Sequence, residues 1–213
     1  MIAHFRRFSY FYLLSFLFIL IGLGSLLTFT KGELVYFFNN HQSDVLNILF
    51  KNITHLGEWI GGSILFFILL FFFKYKYSIL FLICILVSSL TSQFLKRVVY
   101  PNEQRPSALY EDLNEIEDVK KNKQFSFPSG HTTAAFTIFS FLAFAGATKI
   151  WQAIAMLLAS SVGISRVYLG QHFMIDVVAG AVLGLLLTAV LYILIYPRLS
   201  KIEWMNKKML AHK

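Results

Sequence analysis

Long apolar stretches are the feature that most constrains this chain, because about 20 apolar residues are enough to cross the hydrocarbon core of a bilayer as a helix. Six stretches have or approach this length, and they span residues 10–29, 59–73, 77–95, 131–147, 151–167 and 173–196. A helix satisfies its own backbone hydrogen bonds in lipid. The sequence therefore predicts an all-α polytopic membrane protein with six transmembrane helices.

The composition agrees with this fold class. Of the 213 residues, 57% are hydrophobic and 14% are charged, whereas soluble domains carry about 25% charged residues. The chain has a single cysteine, Cys84, which excludes an intramolecular disulfide. Its length predicts one membrane-embedded domain over residues 1–213.

The positions of Lys and Arg predict the orientation in the membrane. If both termini are cytoplasmic, the inner segments hold ten of the 19 basic residues and one acid, Glu203. These ten are Arg6, Arg7, Lys74, Lys76, Lys149, Arg198, Lys201, Lys207, Lys208 and Lys213. The excess follows the positive-inside rule and predicts a multi-pass protein of the inner membrane. Because the basic residues flank apolar stretches and form no stripe with aromatics, no nucleic-acid partner is expected.

Two long segments are predicted on the outer side. Residues 31–58 mix apolar and polar side chains, which favours a helix that lies in the membrane interface. Residues 96–128 carry five acids and then three lysines between positions 111 and 123. This charge run is typical of a solvated loop, and a mobile lid is the alternative.

Three polar clusters lie on this same predicted side. The first, at positions 96–106, contains Lys96, Arg97 and Arg105, which either snorkel to the interface or bind an anion. The second, at positions 128–131, precedes the fourth apolar stretch. There Ser129 is a good N-cap, Gly130 leaves backbone N–H groups accessible, and His131 adds a titratable group. Simple helix capping is one interpretation of this pattern, and a phosphate site at a helix N-terminus is the other.

The third cluster runs through positions 165–176. His172 and Asp176 are four residues apart, so they share a face if the sixth helix begins near His172. A carboxylate on one imidazole nitrogen makes the other nitrogen a better nucleophile. Arg166 lies at the end of the fifth stretch and is suited to bidentate binding of phosphate oxygens. The alternative is a structural His–Asp pair with a snorkelling arginine.

With these clusters the chain resembles the bacterial membrane-bound branch of the type 2 phosphatidic acid phosphatase family, which is related in fold to vanadium haloperoxidases. The family signature has three parts: a lysine followed by Arg-Pro, then Pro-Ser-Gly-His, then Ser-Arg, five residues, His, three residues and Asp. The second and third parts match without a gap at positions 128–131 and 165–176. In the first part eight residues separate Lys96 from Arg105 and seven separate Arg97 from Arg105, where the family usually has six. Lys96 and Arg97 are therefore both candidates for the first cation, and Lys96 is preferred.

The resemblance implies a mechanism whose residues lie within positions 96–176. His172 is expected to attack phosphorus and form a phosphohistidine, and Asp176 to orient His172. His131 is expected to act as general acid towards the leaving oxygen and then as base for water. The phosphate-binding groups are expected to be Lys96, Arg105, Ser129, Gly130 and Arg166. No metal and no other cofactor is expected, since the fixed cations stabilise the charge of the transferred group.

The implied function is a lipid phosphate phosphatase with its active site at the outer membrane face, towards the periplasm or the outside. The candidate substrates are phosphatidic acid, phosphatidylglycerol phosphate, undecaprenyl diphosphate and lipid A. A phosphotransferase with the same phosphohistidine is an alternative, and a non-catalytic lipid-binding or transport protein is an alternative of another class. A haloperoxidase is disfavoured because those relatives are soluble. Besides the lipid substrate and the bilayer, no obligatory protein partner is inferred.

Overall fold

The computed structural model describes residues 9–120, 122–146 and 148–210. Over these residues the α-helices are α1 (Ser9–Thr28), α2 (Glu33–Asn40), α3 (Asp44–Thr54), α4 (Trp59–Phe72), α5 (Tyr75–Phe94), α6 (Pro106–Leu109), α7 (Gly130–Gly146), α8 (Lys149–Tyr168) and α9 (Met174–Ser200). A π-helical turn, Leu95–Val99, extends α5, and short 3₁₀ turns follow α3 and α9. Arg6, Arg7 and Lys213, which support the predicted orientation, lie outside the described residues.

Each of the six predicted stretches forms a helix, but the helices differ in length. In the described residues, α1, α5 with its π turn, α8 and α9 are long and apolar enough to cross a membrane. The helix α4 has 14 residues, a rise of about 21 Å, and passes the same test only together with residues 44–57, to which it is bent by 53°. The helix α7 has 17 residues and is a shorter apolar helix. The chain is therefore a multi-pass membrane protein with four or five candidate spans.

The helix α7 lies in the centre of the bundle, in contact with α5, α8 and α9. Its own side chains are buried on several faces, among them Ala135, Phe136, Phe139 and Phe141. A helix that is apolar all round is stable when protein covers it on all sides. Its first turn carries the second polar cluster, so the central position of α7 places that cluster between the other helices.

Two glycines allow α9 to approach α7 closely. A Cβ atom at Gly180 would lie 2.6 Å from the backbone oxygen of Ser129, and one at Gly184 would lie 2.5 Å from that of Thr133. Small residues four apart are a common means of close helix packing in membranes. The contact joins the start of α7 to the start of α9, where the backbone N–H of Ser129 donates to the carbonyl of Asp176 at 3.0 Å.

The segment 31–58 forms two helices, α2 and α3, where the sequence predicted one interfacial helix. Both helices contact α8. The hydroxyl of Tyr168, the last residue of α8, donates to the side chain of Asn47 at 2.7 Å. This segment therefore packs on the protein at the end of the bundle that carries the three polar clusters.

The segment 96–128 is anchored at several points in its described part. The Asn39 side chain exchanges two hydrogen bonds with the backbone of Asn114, at 3.1 and 3.0 Å. Leu113 and Ile116 are buried within the acidic run. The backbone N–H of Arg105 donates to the carbonyl of Lys123 at 3.0 Å. These contacts give the solvated loop a fixed path across the end of the bundle.

The close α7–α9 contact predicts the effect of Gly180→Ala. The new methyl group would overlap a backbone oxygen, so we expect a loss of about 1–3 kcal/mol of stability, measured by thermal unfolding in detergent. Gly24→Ala on α1 is the matched control, because no heavy atom lies within 4 Å of its added Cβ. Equal stability of the two variants would contradict this account of the packing.

Candidate active site

His172 and Asp176 form a buried pair at the start of α9. His172 lies in the turn between α8 and α9, and Asp176 lies in the first turn of α9. The His172 Nδ1 atom is 3.2 Å from Asp176 Oδ2, and both side chains are almost fully buried. Because the carboxylate engages Nδ1, the Nε2 atom of His172 is the nitrogen that remains for a reaction.

Two further groups hold the carboxylate of Asp176. The Ser126 hydroxyl donates to Asp176 Oδ2 at 2.5 Å and lies 3.4 Å from His172 Nδ1. The backbone N–H of Phe173 donates to the same oxygen at 3.0 Å, which caps α9 with its own third residue. Such contacts fix the orientation of the His172 ring.

The second polar cluster begins α7 as a capped helix. The Ser129 hydroxyl accepts a hydrogen bond from the Thr132 hydroxyl at 2.9 Å and a longer one from the Thr132 N–H at 3.4 Å. Ser129 is therefore a helix cap, as one of the two sequence interpretations predicts. Gly130 faces the cation of the first cluster, since a Cβ placed there would lie 3.8 Å from Lys96 Nζ. The start of α7 thus lies beside a positive charge.

The π turn at the end of α5 gives Lys96 and Arg97, the two candidates for the first cation of the family signature, different surroundings. Lys96 is buried and lines a cavity together with Arg105, Gly130 and His131. Arg97 is exposed and lies over the ring of Phe125, 5.9 Å from its centroid. The geometry brings Lys96, and not Arg97, into the same cavity as His131.

Two neutral side chains position the arginines. Thr54, at the end of α3, accepts a hydrogen bond from Arg166 at 2.7 Å. Among the described residues, the buried Nε of Arg166 has no hydrogen-bond partner. The buried side chain of Gln171 accepts from Arg105 at 3.1 Å and itself donates to the carbonyl of Lys120 at 3.1 Å.

His131 has a carboxylate partner that belongs to none of the three polar clusters. Its Nε2 atom lies 2.8 Å from Glu58 Oε1. The other oxygen of Glu58 lies 3.0 Å from Nδ1 of His55. Glu58 directly precedes α4, on the same end of the bundle as the motifs.

The electrostatics of the site favour a bound anion. Within the described part of the chain, no carboxylate forms an ion pair with Lys96, Arg105 or Arg166. Burial lowers the pKa of His172 well below its usual value, and the charges of these three cations lower it further. His172 is therefore neutral at pH 7, the form in which an imidazole nitrogen acts as a nucleophile.

The cavity beside these residues has a polar end and an apolar end. Its volume is about 620 Å³, and it runs between α4, α5 and α7. Glu58, Lys96, Arg105 and His131 line the polar end, and the apolar lining includes Phe66, Phe81, Leu82, Ile85, Leu86 and Ala134. The arrangement accommodates an anionic group attached to an apolar chain.

Sequence reasoning missed Thr54, Glu58, Ser126 and Gln171. Glu58 carries a weak signal, because it is an acid placed directly before an apolar stretch on the predicted motif side. Ser126 and Gln171 lie within or next to the motifs but carry no spacing that distinguishes them. Thr54 acts through a contact with a residue 112 positions away, and no local pattern reveals such a pair.

This chain is similar to several proteins of known sequence or structure. Phosphatidylglycerophosphatase B of Bacillus subtilis is 44% identical over 72 residues, which cover 30% of this chain and 36% of that protein. A lipid A 4'-phosphatase of Bacteroides thetaiotaomicron is 30% identical over 164 residues, 71% of each chain. The crystal structure of the transmembrane PAP2 type phosphatidylglycerolphosphate phosphatase from Bacillus subtilis superposes with a TM-score of 0.65 at 29% identity, over 91% of this chain and 97% of that one.

The first of these relatives is matched over little more than a third of its length, so likeness to it does not carry over its activity. The family assignment rests on a wider match. The sequence pattern of the PAP2 superfamily covers residues 77–200, more than half of the chain, and includes all three polar clusters. This protein belongs to the PAP2 superfamily.

Proposed function

We propose that this protein is a phosphatase that removes phosphate from a membrane lipid through a phosphohistidine intermediate. One observation carries the proposal. Lys96, Arg105 and His131 line the polar end of a cavity that is apolar at its other end, and the charges of these groups and of Arg166 act on the buried imidazole of His172. Among the described residues, none of the three cations forms an ion pair with a carboxylate.

The proposed reaction has two steps. In the first, His172 Nε2 forms a bond to phosphorus while the bond to the leaving oxygen breaks, and His131 gives that oxygen a proton. In the second, His131 takes a proton from water, the water oxygen attacks phosphorus, and the bond to His172 breaks. Asp176 stabilises the positive charge that His172 carries in between.

Fixed positive groups take the place that a metal ion has in many phosphoryl transfer enzymes. We propose that Lys96, Arg105, Arg166 and the backbone at Ser129 and Gly130 bind the non-reacting oxygens. The unpartnered Nε of Arg166 supports this role, because a phosphate oxygen would satisfy it. We propose that no metal ion takes part, since phosphoryl transfer needs mainly positioning and charge stabilisation.

The cavity supports a lipid as the substrate. Its apolar residues lie on α4, α5 and α7, where an acyl or isoprenyl chain would pack while the head group reaches Lys96 and His131. The names of the relatives suggest two classes, phosphatidylglycerol phosphate and lipid A. Phosphatidic acid and undecaprenyl diphosphate have the same chemistry, a phosphate on a long apolar chain.

For the whole chain we propose one domain over residues 1–213, with six membrane crossings and both termini cytoplasmic. In this arrangement α4 and α7 cross as the second and fourth spans. The segment 31–58 then lies at the outer interface and the site faces the periplasm or the outside. The distribution of Lys and Arg supports this orientation. The proposal involves no obligatory protein partner.

His172→Ala should abolish phosphate release while the protein still folds and inserts. The substitution removes the nucleophile, so we expect a loss of several orders of magnitude in kcat. The measurement is free phosphate released from purified lipid phosphates in detergent with EDTA present. Thermal unfolding of the variant serves as the folding control.

The same assay separates the alternatives. Free phosphate with water as the only acceptor supports a phosphatase, whereas turnover that requires a second lipid identifies a phosphotransferase. If His172→Ala matched the wild-type protein in every such assay, the proposed role of His172 as nucleophile would be wrong. Activity lost in EDTA and restored by Mg²⁺ would contradict the metal-free mechanism.

The positions of Lys96 and Arg97 predict different effects of two similar substitutions. Lys96→Gln removes a buried charge beside Gly130 and should lower kcat/KM about 100-fold or more. Arg97→Gln removes an exposed charge and should change kcat/KM by less than about 3-fold. The reverse order of effects would place the first cation at Arg97.

A tryptophan in the apolar part of the cavity should hinder binding of the lipid tail. Leu82→Trp should raise KM for a long-chain lipid phosphate about tenfold, because overpacking costs about 1–3 kcal/mol. It should leave turnover of a short-chain water-soluble phosphate unchanged. Leu90→Trp is the matched control, since Leu90 lies on the same helix, is exposed, and does not line the cavity. Equal effects on both substrates would contradict binding of the tail here.

A further inference from the structure

We propose that Glu58 is a positioning residue that holds His131 in place and supports its positively charged form during transfer of a proton to the leaving group. The inference rests on the proposed function and adds to it a residue outside the three polar clusters. Glu58 acts through the His131 ring, so its contribution should depend on how much the departing oxygen needs a proton.

The contacts of Glu58 define its geometry. Its Oε1 accepts from His131 Nε2 at 2.8 Å, and its Oε2 lies 3.0 Å from His55 Nδ1. Each oxygen of the carboxylate therefore has its own imidazole partner, which fixes the plane of the carboxylate. Among the described residues, His131 Nδ1 has no hydrogen-bond partner. With Nε2–H donated to Glu58, Nδ1 is the nitrogen that exchanges a proton with the substrate.

The backbone around Glu58 is fixed against the site. A Cβ atom at Gly57 would lie 2.7 Å from the backbone oxygen of His131, so the backbone at Gly57 and the start of α7 are in close contact. Three residues before Gly57, the Thr54 hydroxyl holds Arg166 at 2.7 Å. The short segment 54–58 thus touches both the second and the third polar cluster. This placement makes Glu58 part of the site and not a surface residue that happens to lie near a histidine.

The charges around His131 explain why a carboxylate is needed. The positive charges of Arg166 and Lys96 both act on the His131 ring, and both oppose a third positive charge. Glu58 is the carboxylate that contacts the ring directly. An opposite charge within hydrogen-bond distance favours the protonated imidazole. Without Glu58, the ring would be surrounded by cations when it must carry a proton to the leaving oxygen.

The proton path is balanced. In the first step the Nδ1 proton of the His131 imidazolium moves to the leaving oxygen as the phosphorus–oxygen bond breaks, and the ring becomes neutral. In the second step the neutral Nδ1 takes a proton from the attacking water, and the imidazolium is restored. Glu58 keeps its hydrogen bond to Nε2–H throughout and is itself neither protonated nor consumed.

The test compares two substrates that differ in their leaving group. Glu58→Gln keeps the size of the side chain and removes its charge. With a lipid phosphomonoester, whose alkoxide leaving group needs a proton, kcat should fall about 10- to 100-fold. With an aryl phosphate such as p-nitrophenyl phosphate, whose leaving group is stable as an anion, kcat should change by less than about 3-fold. Glu117→Gln makes the same substitution at an exposed position in the segment 96–128. It is the matched control and should leave both activities unchanged.

A double-mutant cycle on the lipid phosphomonoester, the substrate on which Glu58→Gln has an effect, measures whether Glu58 acts through His131. In a His131→Ala background, Glu58→Gln should have no further effect on kcat, because residues that act as a unit are not additive. Equal losses of kcat on both substrates, or full additivity with His131→Ala, would overturn the inference. So would an unchanged kcat for Glu58→Gln on the lipid substrate.

These failures differ from failure of the proposed function. If the wild-type protein releases phosphate and His172→Ala does not, while Glu58→Gln is fully active on the lipid substrate, only the role of Glu58 is wrong. If the wild-type protein itself releases no phosphate from any lipid or aryl phosphate, the proposed function fails first, and the role of Glu58 fails with it. Thermal unfolding of Glu58→Gln shows whether a loss arises from misfolding, in which case both substrates lose activity together.

Discussion

Three cations that form no ion pair with a carboxylate in the described part of the chain, two of them buried and Arg105 half-buried, impose the main constraint on this end of the molecule. Burial of a charge in a protein is costly unless an opposite charge or hydrogen bonds compensate it. Lys96, Arg105 and Arg166 come from three different parts of the chain, yet in the described residues they approach neutral partners, backbone carbonyls and one another's charges. A site that concentrates positive charge in this way is most stable with a polyvalent anion bound. The concentration of positive charge therefore favours a phosphate ligand, independently of the two histidines.

The packing of helices brings these charges together. Gly180 and Gly184 let α9 lie against α7 so closely that the backbone of Ser129 bonds to the backbone of Asp176. That contact fixes the start of α7 relative to the start of α9. It therefore also fixes His131, in the first turn of α7, relative to His172, just before α9. The π turn after α5 adds Lys96 from the third side. The precision of the site therefore comes from backbone contacts between helix ends, which are more rigid than contacts between long side chains.

The sequence predicts the parts of this structure that have local causes. Apolar length predicts all six helices, and the four-residue spacing of His172 and Asp176 predicts a pair. The pair forms, although α9 begins at Met174 and His172 lies in the turn just before it. Other features depend on contacts between distant residues. The burial of Lys96 and the exposure of Arg97 follow from the π turn at the end of α5, and no periodicity reveals that turn. Glu58 and Thr54 acquire a role only because the segment that carries them folds onto α7 and α8.

The exposure of the two histidines gives the proposed reaction a direction. The His172 side chain is 1% exposed, whereas the His131 side chain is 29% exposed and lines the cavity. In-line transfer places the nucleophile and the leaving oxygen on opposite sides of phosphorus. In the proposed reaction the leaving lipid would therefore depart into the cavity, on the side of His131, and water would reach the proposed phosphohistidine by the same route. Because both groups would use one position beside His131, a single imidazole would serve first as acid and then as base. The same reasoning explains why a phosphatase and a phosphotransferase of this architecture differ only in which acceptor occupies that position.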